Sequence, residues 1–236
     1  MELSKRLAAV AHLVTRGNSV ADVGCDHGYL SIYLRENEIS PRVIALDVNQ
    51  GPLAKAMEHI AKYGCSGIET RLSNGLDQLQ RNEVDTIICA GMGGRLILGI
   101  LEHDLDYARS VEECILQPQS ELSVVRQQLV EWGFHLVEED MIYEDGKYYS
   151  ILKVSGRNCK SRVVYTKTQY EYGPLLLSQQ NPCLHTYLRE RRCHYEKLIK
   201  ELSIINRTQT QTQRIGQLEE ELERIIEALK SYDRIS

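Results

Sequence analysis

Val20-Ala21-Asp22-Val23-Gly24-Cys25-Asp26-His27-Gly28-Tyr29-Leu30, followed by Leu46-Asp47-Val48-Asn49, is the stretch whose reading decides the fold. It predicts a strand, a glycine-bearing turn, a helix and a second strand ending in a carboxylate, which is half of a nucleotide-binding α/β domain. Gly24 and Gly28 let the backbone pass close to a ligand where a Cβ would collide, and Asp47 can accept both hydroxyls of a ribose. The dinucleotide fingerprint uses three glycines to seat a pyrophosphate on a helix N-terminus. Here the third position is filled differently, and Asp22 and Asp26 flank the turn. Two carboxylates repel a pyrophosphate and suit a ligand with an ammonium group and a sulfonium centre, which points to S-adenosylmethionine.

Working outward, apolar positions at helical spacing in residues 2–15 predict a helix before the first strand. Further short apolar runs at 43–46, 68–72, 86–90 and 114–117 read as strands buried in a parallel sheet, with helical patterns near 28–38, 50–64, 93–102 and 120–132 between them. After Trp132-Gly133, residues 134–143 and 148–154 flank Glu144-Asp145-Gly146-Lys147 and read as a closing antiparallel hairpin. The expected fold is α/β: a class I methyltransferase (Rossmann-like) domain whose mostly parallel sheet ends in that hairpin.

Composition changes at Ser155-Gly156-Arg157-Asn158, so the expected domains are 1–156, which binds the cofactor and carries the chemistry, and 157–236, which is helical. Leu188, Tyr195, Leu198, Leu202 and Ile205 form one heptad seam, and Ile215, Leu218, Leu222, Ile225, Leu229 and Tyr232 form another. The register slips across residues 206–213, which favours two antiparallel coiled-coil helices over one long dimerising helix. Monomer or weak dimer is the expectation.

The two parts differ in charge. Residues 1–156 hold 14 Lys and Arg against 23 Asp and Glu, a net −9, while residues 157–236 hold 14 against 10, a net +4. The basic positions include Lys160, Arg162, Arg189, Arg191, Arg192, Lys197, Lys200 and Arg207. Such a stretch can track a phosphate backbone, or it can be a solvated helix face. Seven scattered cysteines without a Cys-x-x-Cys pair predict reduced thiols and no zinc or other metal. No apolar run is long enough to span a bilayer, and the amino terminus lacks a signal-peptide core, so a cytoplasmic protein is expected.

A second glycine cluster, Ala90-Gly91-Met92-Gly93-Gly94, ends the fourth strand and should face the same pocket as the first. Gly91 would leave a carbonyl for the amino-acid part of the cofactor, and Met92 could lie beside the transferred methyl. Asn74-Gly75 ends the third strand, where the amide oxygen can accept from an adenine amine, although Asn-Gly is also a good turn. Gln117, before Pro118, could read a base edge or serve only as a loop residue.

Together, Leu3-Ser4-Lys5-Arg6-Leu7, the 22–30 turn, Asp47-Val48, Asn74-Gly75-Leu76, Ala90 to Gly94, Leu116-Gln117-Pro118-Gln119 and Glu144 to Tyr149 resemble the bacterial TrmK family. Its members are tRNA methyltransferases that modify N1 of adenine 22. Cys25 and Gly28 stand where serine and alanine are usual. The resemblance implies tRNA as substrate, with Arg6, Gln117, Pro118, Arg189, Arg191 and Arg192 as substrate contacts. It also implies a base turned out of its stem. Adenine N1 is a lone-pair nucleophile, so transfer needs alignment more than a base. Asp26 could favour the positive charge of the product, or could only cap the following helix. His27 and Tyr29 could orient adenine or cofactor. A methyltransferase acting on a small molecule or protein, with helices used for dimerisation, is the alternative.

Overall fold

The computed structural model describes residues 1–157, 163–204 and 209–233. It divides into two compact units, Met1–Val164 and Tyr165–Ser236; the composition change at 156/157 falls slightly earlier. Cys159, Lys160, Arg162, Ile205 and Arg207 lie outside the described residues, as does most of the joint expected near Asn206 to Thr210.

In the first unit, α1 (Lys5–Leu13) precedes β1 (Val20–Val23), α2 (Tyr29–Glu36), β2 (Val43–Asp47), α3 (Gln50–Tyr63) and β3 (Ile68–Leu72). Then come β4 (Thr86–Met92), α4 (Gly94–His103), α5 (Leu105–Ser110), β5 (Glu113–Pro118), α6 (Leu122–Glu131), β6 (His135–Glu144) and β7 (Lys147–Ser155). The seven strands lie in the order β3-β2-β1-β4-β5-β7-β6. The first five are parallel; β7 runs antiparallel to both β5 and β6. β1, β2 and β5 are buried along their whole length, as the continuous apolar runs require. Strand order reverses beside β1, so the carboxyl ends of β1 and β4 open the crevice where an α/β sheet takes its ligand.

The opposite end of the sheet is closed by polar contacts. Glu113 accepts from the Thr15 backbone N–H at 2.9 Å and the Thr86 hydroxyl at 2.9 Å, and pairs with Lys153 at 2.8 Å. On the flank, Arg126 of α6 and Glu139 of β6 form a fully buried pair at 2.7 Å. The short α5 was absent from the sequence expectations, because six residues are too few to display a helical period; its start is marked by Asp104, which accepts from the Tyr107 N–H.

The second unit contains α7 (Lys167–Tyr172), α8 (Pro174–Ser178), α9 (Pro182–Ile204) and α10 (Gln209–Leu229). α7 opens with a capping box between Thr166 and Gln169, and α8 with Pro174 at its first turn. α9 and α10 run antiparallel: the Tyr232 hydroxyl donates to the Asn181 carbonyl at 3.0 Å, and Tyr195, midway along α9, donates to Glu221 of α10. Leu188, Tyr195, Ile215, Leu218 and Ile225 are buried at this contact. No described helix is long and apolar enough to cross a membrane.

Candidate active site

The turn after β1 is tied to the neighbouring strand. The Gly24 and Cys25 N–H groups both donate to the Leu46 carbonyl, at 2.8 and 3.0 Å. Gly24 has φ +72, and a Cβ there would run into Met92 Cε. Gly28 also has φ +72 and lies against Ala56 of α3. Both positions therefore favour glycine, and backbone can approach a ligand at Gly24. Asp22 is 3% exposed and accepts from the Ser31 hydroxyl at 2.6 Å. Burial pushes its carboxyl up to about 6 against the opposing pull of that hydroxyl.

A cleft of about 280 Å³ collects Arg6, Asp22, Gly24, Asp26, His27, Tyr29, Gly91 and Met92. Residues from the two glycine clusters thus share one cavity, joined by Arg6 of α1. Gly28 borders α3 rather than the cleft. Asp47, Val48, Asn74 and Gly75 line up along the same edge of the sheet, outside this cleft. The Ser73 N–H donates to the Asp47 carbonyl at 2.8 Å, joining the ends of β2 and β3, and Asp47 Oδ1 accepts from the Asn49 N–H at 2.8 Å. Val48 is 59% exposed beside it, an apolar side chain open to water at a strand end.

Asp26 is exposed in a left-handed conformation, φ +50, with Oδ1 3.6 Å from His27 Nε2. It does not cap α2: the N-cap is Gly28, which makes no side-chain cap bond. His27 Nδ1 is buried with no hydrogen-bond partner among the described residues. Such an orphaned polar atom at a cleft is a place for a ligand or water to complete the bonding. Tyr29 stacks on His59, a residue of α3 that the sequence reading passed over.

Two substrate expectations are corrected. Gln117 is fully buried, its Oε1 accepting from Arg6 Nη1 at 2.8 Å and from the Gly91 N–H at 3.0 Å. It is a strut between α1 and the second glycine turn, with no exposed edge to read a base. Pro118 is likewise buried, opposite Met92 in the sheet. Arg6 is held more firmly than its motif alone implied. Glu144 accepts from the Lys5 and Arg6 N–H groups at the start of α1, at 2.5 and 3.2 Å, and the Arg6 guanidinium lies 5.8 Å from the Tyr149 ring centroid. The Glu144 to Tyr149 motif is therefore the clamp on Arg6, a link across 138 residues.

In the helical unit, the three arginines expected to act together separate. Arg191 is half-buried, donates to the Tyr195 hydroxyl and lies 4.6 Å from that ring centroid. Its guanidinium is engaged on tyrosines of its own helix, the Tyr187 ring lying 5.9 Å away on the other side. Arg192 is exposed and pairs with Glu196 one turn on, at 2.7 Å. Arg189 is exposed on the α9 surface.

A methyltransferase-domain family matches residues 3–152. The tRNA (adenine(22)-N(1))-methyltransferase of Bacillus subtilis is 30% identical over 232 residues, 97% of this chain and 98% of the relative. The chain belongs to the TrmK family. TrmK of M. capricolum, solved with S-adenosyl-homocysteine, is 27% identical with a TM-score of 0.80, covering 98% of this chain and 99% of its own. A Streptococcus pneumoniae structure in complex with S-adenosyl-L-methionine is 32% identical with a TM-score of 0.83, covering 97% and 100%. The likeness to TrmK thus extends beyond the methyltransferase domain into the helical unit.

Proposed function

We propose that this chain transfers a methyl group from S-adenosyl-L-methionine to N1 of adenine 22 in tRNA. The observation that carries the reading is the near full-length likeness to the B. subtilis enzyme of that name, with the glycine-and-carboxylate cleft inside the matched region. The cleft suits the cofactor: backbone free of Cβ at Gly24, a buried carboxylate at Asp22 and the unpaired His27 Nδ1. In this reading Asp22 holds the methionine ammonium, with Gly24 and Gly91 shaping the backbone around it and Gly28 seating the turn against Ala56 of α3. Asp47 takes the ribose hydroxyls, and Val48, Asn74 and Gly75 border the adenine. The bound cofactor supplies an electrophilic methyl on a sulfonium.

Adenine N1 carries its own lone pair, so the enzyme's part is alignment and charge. Asp26, exposed at the cleft, favours the positive charge that N1 acquires. His27 and Tyr29 orient the base, Met92 lies beside the methyl, and Arg6 contacts the substrate. We read residues 157–236 as a helical domain in which α9 and α10 form an antiparallel coiled coil, with Arg189 and Arg192 of α9 on the tRNA. Neutralised phosphates would offset the cost of turning out a stem base. Such a reaction belongs in the cytoplasm, and the chain acts as a monomer or weak dimer.

The test is incubation with unmodified tRNA and methyl-labelled cofactor, followed by nucleoside mass spectrometry. Labelled 1-methyladenosine is the expected product. Cofactor binding without methylation of any tRNA would favour a small-molecule or protein substrate.

A further inference from the structure

Tyr29 is the first residue of α2, 39% exposed, and it borders the cleft. An aromatic ring left this open at a cleft mouth has apolar area still to cover. Behind it stands His59, which comes from α3 and does not itself border the cleft. The two rings stack with centroids 4.7 Å apart and planes 19° from parallel. His59 is held in turn by the turn it supports: its Nδ1 lies 2.9 Å from the His27 carbonyl. A carbonyl only accepts, so Nδ1 carries a proton, and in the neutral ring Nε2 is then an acceptor. Nε2 lies 3.5 Å from the Tyr29 hydroxyl. The His27 ring completes the group, 5.8 Å from His59 and 5.9 Å from Tyr29.

We propose that His59 is a positioning residue for methyl transfer, holding Tyr29 as the aromatic wall on which the turned-out adenine stacks. The inference rests on the functional reading above and assigns to α3 a part in it. Every base has a π-face, and stacking on an aromatic side chain holds an unpaired base without reading its edge. That leaves N1 free for the methyl. Methylation makes the adenine cationic, and the face of a tyrosine ring attracts a cation. The wall therefore favours the product-like charge as well as the base, in concert with the exposed carboxylate of Asp26.

Two variants separate the parts of the role. His59→Phe keeps a ring behind Tyr29 and removes the bond to the His27 carbonyl; His59→Asn keeps a donor for that carbonyl and removes the ring. Kinetics at saturating cofactor give kcat and KM for tRNA, calorimetry gives S-adenosyl-homocysteine affinity, and thermal melting checks folding. A tRNA with 2-aminopurine at position 22 reports stacking through quenching of its fluorescence. Expected for His59→Asn is a loss of about tenfold in kcat/KM for tRNA, with cofactor affinity and melting unchanged and a brighter bound 2-aminopurine; His59→Phe stays within about threefold of wild type and remains quenched. Full activity and quenching in His59→Asn would overturn the inference, as would an equal fall in both variants accompanied by weaker cofactor binding. If wild-type protein fails to methylate adenine 22, the functional reading falls and the inference with it. An active wild type with an unaffected His59→Asn variant removes the inference alone.

Discussion

At the cleft, charged side chains are few, and the buried Asp22 and half-buried Arg6 among them are tethered, to Ser31 and to Gln117, with the Arg6 backbone fixed by Glu144. Along α9 they are numerous and differ from one another only in their partners. Arg191 is locked onto Tyr195, Arg192 is paired with a glutamate at the surface, and Arg189 is exposed. The contrast teaches that net charge describes a region while partners decide what each residue does. A carboxylate held in a buried setting has one geometry to offer a ligand. A charge on a helix face has many, and acts through its field.

The comparison can be broken most sharply by cutting one ion pair in each unit. Arg126→Met removes the cation that the buried Glu139 pairs with and should cost about 3–5 kcal/mol, whereas Arg192→Ala, at the exposed surface, should leave the unfolding midpoint unchanged. Urea unfolding of the two variants measures the difference; equal losses would show that the units hold their charges in the same way.

Next in size is Asp47→Ala. On the proposed reading Asp47 accepts the ribose hydroxyls, so its removal should weaken S-adenosyl-homocysteine binding by about 2 kcal/mol, with little change in melting temperature. No substitution on the exposed face of α9 should move that affinity, and calorimetry on both sets of variants checks the claim.

A smaller effect follows from Asp22, whose carboxyl is lifted to about 6 by burial. Its folded value lies above the ordinary 3.8, so the protein without cofactor loses stability as pH rises from about 4 through 6, where the buried carboxyl must ionise. A cofactor ammonium favours the ionised form and reverses that preference. Affinity should therefore hold above about pH 6 and fall roughly tenfold for each unit below it, a dependence that Asp22→Asn removes. Calorimetric titrations from pH 5 to 8 would show a flat profile in the wild type if Asp22 does not face the cofactor.

The smallest effects lie within α9. Arg191→Ala should lower the stability of the helical unit by about 1 kcal/mol and leave the salt dependence of tRNA binding in place. Arg189→Ala should do the reverse, reducing the slope of log affinity against log salt by about 1 with unchanged melting. Matching effects from the two variants would erase the distinction between brace and contact.

The sheet was legible in the sequence because its strands are apolar runs between glycine-bearing turns, and β1 and β3 fall at the residues their patterns mark. The lining of the cleft was legible for a related reason: Gly24, Gly91 and Asp22 sit at strand ends and turns, whose positions sequence spacing encodes. Gln117 was misread because its role depends on Arg6 and Gly91, which lie 111 and 26 residues away and carry no local signal. Glu144 reads as part of a turn, yet it accepts from the first N–H groups of α1, a partner far away in the chain. His59 gave no sign at all, since a histidine on an amphipathic helix looks solvated until the fold brings Tyr29 against it. On α9 the heptads predicted helix pairing, while Arg191 could be told from Arg189 only by the tyrosine one turn along.

The most direct measurement is methyl incorporation into two tRNA transcripts that differ only at position 22, one with adenine and one with guanine. The account predicts one methyl per molecule, found as 1-methyladenosine, in the first and none in the second. Equal incorporation into both, or into neither while S-adenosyl-L-methionine still binds, would contradict it.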